Sequence, residues 1–142
     1  MSTNKFMTLA LPLAVVLAAA AAPARALDLT IEFSGARSVR GTVSAALYAD
    51  AAQWLKLPVA AERVAAAGER VVIVFRNLAP GSYAIAAFHD ENGNGKMDAN
   101  VVGIPTEAFG FSREARGAFG PPKWDAATFE LRTDLTLKVV LQ

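Results

Sequence analysis

The sequence predicts an all-β protein, an antiparallel β-sandwich of about seven strands with one long loop. Segments such as 27–34 and 135–141 alternate apolar and polar residues, and this period of two is typical of a strand with one buried face. Turn residues, chiefly glycine beside proline, serine or asparagine, separate the segments at short intervals. Little of the chain beyond residue 26 has helical periodicity, so packed sheets are the expected architecture.

The first 26 residues have the layout of a secretory signal peptide. Lys5 gives a positive start, residues 6–22 are almost entirely apolar, and Ala24-Arg25-Ala26 is a small-residue cleavage site. We therefore expect one mature domain over residues 27–142, periplasmic or secreted. No second apolar run is long enough to span a bilayer, so no membrane insertion is expected once the signal is removed.

Charge and cysteine content exclude several classes of protein. The formal net charge is +1 and the basic residues form no cluster, so nucleic acid is not an expected partner. The chain has no cysteine, which excludes a thiol nucleophile, a thiolate metal site and a lipoprotein anchor. A domain of this length can be held together by its hydrophobic core without disulfides.

The first half of the mature domain contains four predicted strands, at residues 27–34, 39–48, 62–67 and 70–76. Asp50 is placed to cap a short helical turn that carries Trp54. The role of Trp54 is open at this point: it is either a lid on the core or a surface aromatic for ligand stacking.

The second half begins with a predicted type II turn at Pro80-Gly81 and a strand over residues 82–88. That strand is apolar on both faces, which indicates a central strand covered on both sides. Residues 99–126 lack periodicity but contain four large aromatic residues, so we expect a long loop folded back onto the sandwich. Two closing strands are predicted at 127–132 and 135–141.

An acidic loop follows the central strand and has the spacing of a calcium-binding loop. Asp90, Asn92, Asn94 and Asp98 stand at positions 1, 3, 5 and 9 and would supply side-chain ligands. Position 6 is Gly95, and Lys96 at position 7 would offer its backbone carbonyl. Hard oxygen ligands suit Ca²⁺ better than zinc or copper. The sequence therefore predicts a calcium site in this loop.

The loop departs from an EF-hand in two respects. Position 12 is Val101 where an EF-hand has a bidentate glutamate, and no helices are predicted on either side. A further carboxylate would have to come from Glu107 or Glu91, and the expected Kd is on the order of 10⁻⁴–10⁻³ M. The alternative is a glycine-rich turn with no ion, in which the Asn side chains bond their own backbone.

His89 is the only histidine, and it precedes Asp90 directly. One hypothesis is a hydrolase that uses His89, Asp90 and Glu107. The other is a histidine at a strand end, bonded to a loop carbonyl. A single histidine does not build a typical zinc site, and the chain has no serine in a G-x-S-x-G motif.

Three linked motifs resemble the bacterial family called Domain of Unknown Function 2141: FHDENGNGKMD, GIPTEAFGFS and GAFGPPKWDAATF. The resemblance implies an exported β-sandwich in which the 89–98 and 103–122 loops form one surface feature. It implies no particular activity. The turn NLAPGSY is also similar to a turn of carboxypeptidase-regulatory and other prealbumin-like modules, which implies an Ig-like or prealbumin-like sandwich that is not catalytic.

These observations favour a non-catalytic exported module that binds a protein or a glycan at the cell envelope. The expected contact residues are Trp54, Trp124 and the loop phenylalanines, with the loop held by calcium or by its Asn-Gly turns. The hydrolase is one alternative. A structural envelope protein with no ligand is the other.

Overall fold

The computed structural model describes residues 25–142, so the predicted signal segment lies outside the described residues apart from Arg25 and Ala26. The strands within this range are β1 (Leu27–Ser34), β2 (Thr42–Tyr48), β3 (Ala60–Ala65), β4 (Arg70–Leu78), β5 (Gly81–Asp90), β6 (Phe109–Phe111), β7 (Phe129–Leu131) and β8 (Leu135–Val140). The helical elements are 3-10 turns at Ala51–Gln53 and Ser112–Glu114 and a short α1 (Trp124–Ala127).

The strands form two sheets, which confirms the predicted all-β sandwich. One sheet has the order β4-β1-β8, and the other has the order β3-β2-β5-β6, with β7 pairing with the start of β5. The β1–β8 pair is parallel and the other pairs are antiparallel. Two parallel strands need a long crossover connection, and nearly the whole domain separates β1 from β8 along the chain.

The core lies between the inner faces of the two sheets. Strand β1 buries every second residue, as its alternation predicts, and Leu29 and Ile31 are fully buried. Facing residues come from the opposite sheet, where Val43, Leu47 and Ile85 are also fully buried. A continuous apolar layer of this kind supplies most of the stability of a domain without disulfides.

Strand β5 is central and is covered on both faces, as its sequence predicts. Ala84 and Ile85 point to opposite faces and both are fully buried. The outer face is covered by an aromatic lid, which consists of Tyr48, Trp54, Phe111 and Trp124. The Trp54 ring centroid lies 5.0 Å from that of Tyr48, and its indole N–H donates to the Pro122 carbonyl at 2.8 Å. Trp54 is therefore part of a lid on the sandwich. Burial raises the pKa of the Tyr48 hydroxyl above its ordinary value.

The turn before β5 differs from the predicted type II turn. Gly81 does not have the positive φ that such a turn requires, and the left-handed residue is Asn77, with φ 58°. Gly81 instead starts β5 and pairs with Leu131. The Tyr83 hydroxyl donates to the Ala79 carbonyl at 2.8 Å, which resembles the tyrosine corner of immunoglobulin-like sandwiches.

The long 99–126 segment folds back onto the sandwich and contains a strand that the periodicity does not reveal. Strand β6 pairs with β5 and is joined to the chain end by two hydrogen bonds between Phe109 and Gln142, of 3.1 and 2.9 Å. Gly110 allows this approach, because a Cβ at that position would stand 2.5 Å from the Val140 carbonyl oxygen.

Within residues 25–142, no helix has the length and apolar character needed to cross a membrane.

Candidate functional site

The candidate site lies at the end of the sandwich where β5 ends. Two loops meet there, the β1–β2 loop (residues 35–41) and the β5–β6 loop (residues 91–108). The Arg37 guanidinium donates to the Thr106 carbonyl at 2.7 Å and joins the two loops. Gly41 packs so closely that a Cβ on it would stand 1.9 Å from the Asp90 carbonyl oxygen.

Asp90 closes the first turn of the β5–β6 loop. Its side chain is fully buried, and its two carboxylate oxygens accept the backbone N–H groups of Asn94 at 3.1 Å and Gly95 at 2.8 Å. Gly95 has φ 78°, a left-handed conformation that glycine adopts without a steric cost. The buried charge is stabilised by these two donors, since hydrogen bonds to an ionised group are the stronger kind.

Glu107 fastens the same turn from the other end of the loop. It is 7% exposed, and its oxygens accept the backbone N–H groups of Glu91 at 3.1 Å and Asp98 at 3.0 Å. A side chain close to β6 therefore holds both the start and the end of the acidic turn. The sequence predicts Glu107 as a ligand or a catalytic carboxylate, and this clamping role is not evident from spacing.

The remaining predicted ligands are connected to this turn by side-chain hydrogen bonds. The amide groups of Asn92 and Asn94 both donate to the Asp98 carboxylate, the second at 2.9 Å. Their side-chain oxygens accept backbone N–H groups, that of Asn92 from Asn94 at 3.0 Å and that of Asn94 from Lys96 at 2.9 Å. Each of these oxygens keeps a second lone pair. Asp90, Asn92, Asn94 and Asp98 are thus brought together, whereas the Lys96 side chain points to solvent.

The carboxylates of this cluster, Asp90, Asp98 and Glu107, form no direct ion pairs with lysine or arginine side chains among residues 25–142. Over the same residues, no three His, Cys, Asp or Glu side chains converge closely enough to hold a metal between them. A cation here would therefore also need amide or backbone carbonyl oxygens.

Thr42 adds one more oxygen beside Asp90. The two residues are directly paired across β2 and β5. Across residues 25–142, the Thr42 hydroxyl is the one buried side-chain polar atom without a hydrogen-bond partner. Directly opposed residues of an antiparallel pair have Cβ atoms only about 5 Å apart, so this hydroxyl lies next to the turn that Asp90 closes.

His89 ties the β1–β2 loop to β5. The ring is fully buried, its Nδ1 accepts the Arg37 backbone N–H at 3.1 Å, and its Nε2 donates to the Arg40 carbonyl at 2.8 Å. These partners assign the neutral tautomer with the proton on Nε2. The Glu91 carboxylate lies 3.8 Å from Nδ1, but that nitrogen carries no proton in this tautomer, so the contact is not an ion pair.

In the part of the chain that the structure describes, no hydrogen bond joins the side chains of His89, Asp90 and Glu107 to one another. His89 and Asp90 are consecutive strand residues, so their side chains point to opposite faces of the sheet. Each of the three side chains holds a different stretch of backbone. Two open cavities lie elsewhere, one lined by residues around Phe111 and the other by residues around Phe119.

The fold and the site define a small β-sandwich domain with a surface loop that is held by buried carboxylates. The profile of a family described as uncharacterized proteins conserved in bacteria (DUF2141) matches residues 31–138, and the chain belongs to this family. The match includes both sheets and the whole β5–β6 loop. Searches of curated proteins and of solved structures found no significant match.

Proposed function

We propose that this chain is an exported, non-catalytic binding module of the cell envelope, periplasmic or secreted, whose β5–β6 loop is pinned by Ca²⁺ and contacts a protein or a glycan. The observation that carries the proposal is the convergence of Asp90, Asn92, Asn94 and Asp98 in one turn, where neither carboxylate forms an ion pair with lysine or arginine. Hard oxygen ligands favour calcium over softer metals.

The donor set supports a weak site. Asp98 is half-buried and shares its carboxylate between two amide side chains, so it is accessible to an ion. The Asn oxygens have free lone pairs, and the unpaired Thr42 hydroxyl lies beside Asp90. With few carboxylates we expect a Kd on the order of 10⁻⁴–10⁻³ M, in the range of extracellular modules.

The non-catalytic part of the proposal is supported by the hydrogen bonds of His89. Both of its ring nitrogens are occupied by backbone groups and the ring is shielded from solvent, so it is not free to exchange protons with a substrate. Among the expected contact residues, Trp54 and Trp124 are half-buried in the aromatic lid. Phe119 is fully exposed and is the strongest aromatic candidate for a partner contact.

Thermal unfolding of the mature chain, 27–142, tests the calcium site. At a calcium concentration of about ten times Kd, the ion would add about 1.4 kcal/mol to the free energy of unfolding and raise the Tm by about 4–6 °C relative to chelator. Asp90→Ala and Asp98→Ala should abolish this rise. Asp125→Ala removes an exposed carboxylate on α1 and should keep it.

Either of two results would contradict the calcium proposal. One is a Tm that does not respond to calcium in the unmodified chain. The other is a rise that persists in Asp98→Ala, which would place the ion elsewhere. The first result would leave the acidic loop as a turn without an ion and favour the structural envelope protein. Magnesium at the same concentration measures selectivity, since Mg²⁺ demands a tighter octahedral geometry.

A further inference from the structure

The hairpin at residues 98–106 carries an apolar tip, which consists of Val101, Val102 and Ile104. Their exposed fractions are 104%, 74% and 60%. Val101 and Val102 lie in the turn of the hairpin and nothing in the described chain covers Val101, so the tip projects into solvent. Single exposed aliphatic residues are ordinary, but three on one projecting hairpin indicate a contact surface.

The apolar tip is held in place by a closed set of hydrogen bonds. The Asn100 N–H donates to the Ile104 carbonyl at 2.8 Å, and the Gly103 N–H donates to the Asn100 carbonyl at 2.9 Å. The Asn100 side-chain oxygen also accepts the N–H groups of Val102 and Ile104, each at 3.0 Å. The hairpin therefore keeps its aliphatic side chains pointing outward, away from the core.

A basic collar lies at the same end of the sandwich as the apolar tip. It consists of four exposed side chains: Arg37, Arg40, Arg63 and Lys96. Arg37 contacts the base of the hairpin through its bond to the Thr106 carbonyl at 2.7 Å. The Arg63 guanidinium lies 3.6 Å from where a Cβ on Gly95 would stand.

The acidic residues of β5 and of the β5–β6 loop are less exposed than the basic collar. Asp90 and Glu107 are buried and bonded to backbone N–H groups. Asp98 is half-buried and bonded to two Asn amides, and Glu91 has a 28% exposed side chain that lies 3.8 Å from Arg40. In the β1–β2 and β5–β6 loops, the exposed charged side chains are therefore all basic, and the exposed acid at this end is Glu69, in the turn after β3.

We propose that this end of the sandwich docks peripherally on an anionic lipid surface. The apolar tip would enter the boundary between headgroups and acyl chains, and the basic collar would contact the lipid phosphates. Binding of this kind combines buried apolar area with attraction to anionic lipids. A projecting tip suits a deformable layer, whereas a protein partner would need a matching cavity. The inference goes beyond the proposed function and needs no calcium.

Co-sedimentation of the mature chain with lipid vesicles, in chelator, tests the docking. We expect binding to phosphatidylcholine vesicles that contain phosphatidylglycerol, much weaker binding to phosphatidylcholine alone, and loss of binding as salt is raised. Replacing Val101, Val102 and Ile104 together by serine should weaken binding at least about tenfold. Lys96→Gln and Arg40→Gln should each weaken it about fivefold.

A matched control comes from the opposite end of the sandwich. Leu57 and Val59 are 64% and 59% exposed there, and the double variant Leu57→Ser/Val59→Ser should bind vesicles as the unmodified chain does. Unchanged Tm values would show that each variant is folded. The proposal is overturned if the chain does not bind the anionic vesicles, or if the triple serine variant binds them as well as the unmodified chain does. It is also overturned if the control variant loses as much binding as the triple variant. Because chelator is present throughout, failure of the calcium site cannot cause these results.

Discussion

We expect Asp90→Ala to lower the free energy of unfolding by about 3 kcal/mol. The substitution removes a fully buried carboxylate that accepts the N–H groups of Asn94 and Gly95. Both donors lose a charged acceptor, and the methyl group of alanine cannot replace it. Hydrogen bonds to a charged group contribute about 1.5–3 kcal/mol each. The Asn94 N–H keeps the Asn92 side-chain oxygen at 3.0 Å, whereas the Gly95 N–H is left without its acceptor.

Urea unfolding followed by circular dichroism measures this loss. Asp125→Ala serves as the matched control because that carboxylate is exposed on α1, and it should change the free energy of unfolding by no more than about 0.5 kcal/mol. A loss below about 1 kcal/mol for Asp90→Ala would show that the carboxylate does not hold the turn.

Gly41→Ala is expected to be at least as damaging, with a loss of about 3 kcal/mol or more. Gly41 has φ 71°, and a Cβ there would stand 1.9 Å from the Asp90 carbonyl oxygen and 2.8 Å from the Glu91 Cα. All of the clashing atoms are backbone, so no side chain can move to relieve the overlap. The β1–β2 loop would have to separate from the end of β5, which also strains the hydrogen bonds of His89.

Gly93→Ala is the control that separates the cost of the backbone clash at Gly41 from the cost of a left-handed conformation. Gly93 has nearly the same φ, 70°, but nothing lies within 4 Å of the position that its Cβ would take. Alanine there should cost only the left-handed conformation, about 1–2 kcal/mol. Equal losses for the two variants, measured by urea unfolding in chelator, would contradict the packing of Gly41 against Asp90.

Much of the fold is predictable because strand periodicity is a local property of the sequence. The predicted strand at 27–34 coincides with β1, and the two apolar faces of the predicted 82–88 strand correspond to the central position of β5. Strand β6 is not predictable in this way. It has three residues, and it is a strand only because it pairs with the edge of β5.

The sequence pattern predicts which residues of the acidic loop lie in one turn, but it does not predict what each side chain does there. The spacing of Asp90, Asn92, Asn94 and Asp98 predicts a curled loop, and hydrogen bonds connect these residues in one turn. Their role as calcium ligands stays a prediction. Gly41 falls within the strand predicted at 39–48, yet it lies in the loop before β2. Its contact with Asp90 depends on the pairing of distant segments, which no local pattern encodes.

The central claim is that two buried carboxylates fasten the β5–β6 loop, and amide hydrogen exchange by NMR tests it most directly. In the unmodified mature chain, the amides of Glu91, Asn94, Gly95 and Asp98 should be protected. In Glu107→Ala, protection should be lost at Glu91 and Asp98 and kept at Asn94 and Gly95, which Asp90 still holds. The claim is contradicted if these four amides exchange as fast as unprotected amides in the unmodified chain. It is also contradicted if Glu91 and Asp98 keep their protection in Glu107→Ala.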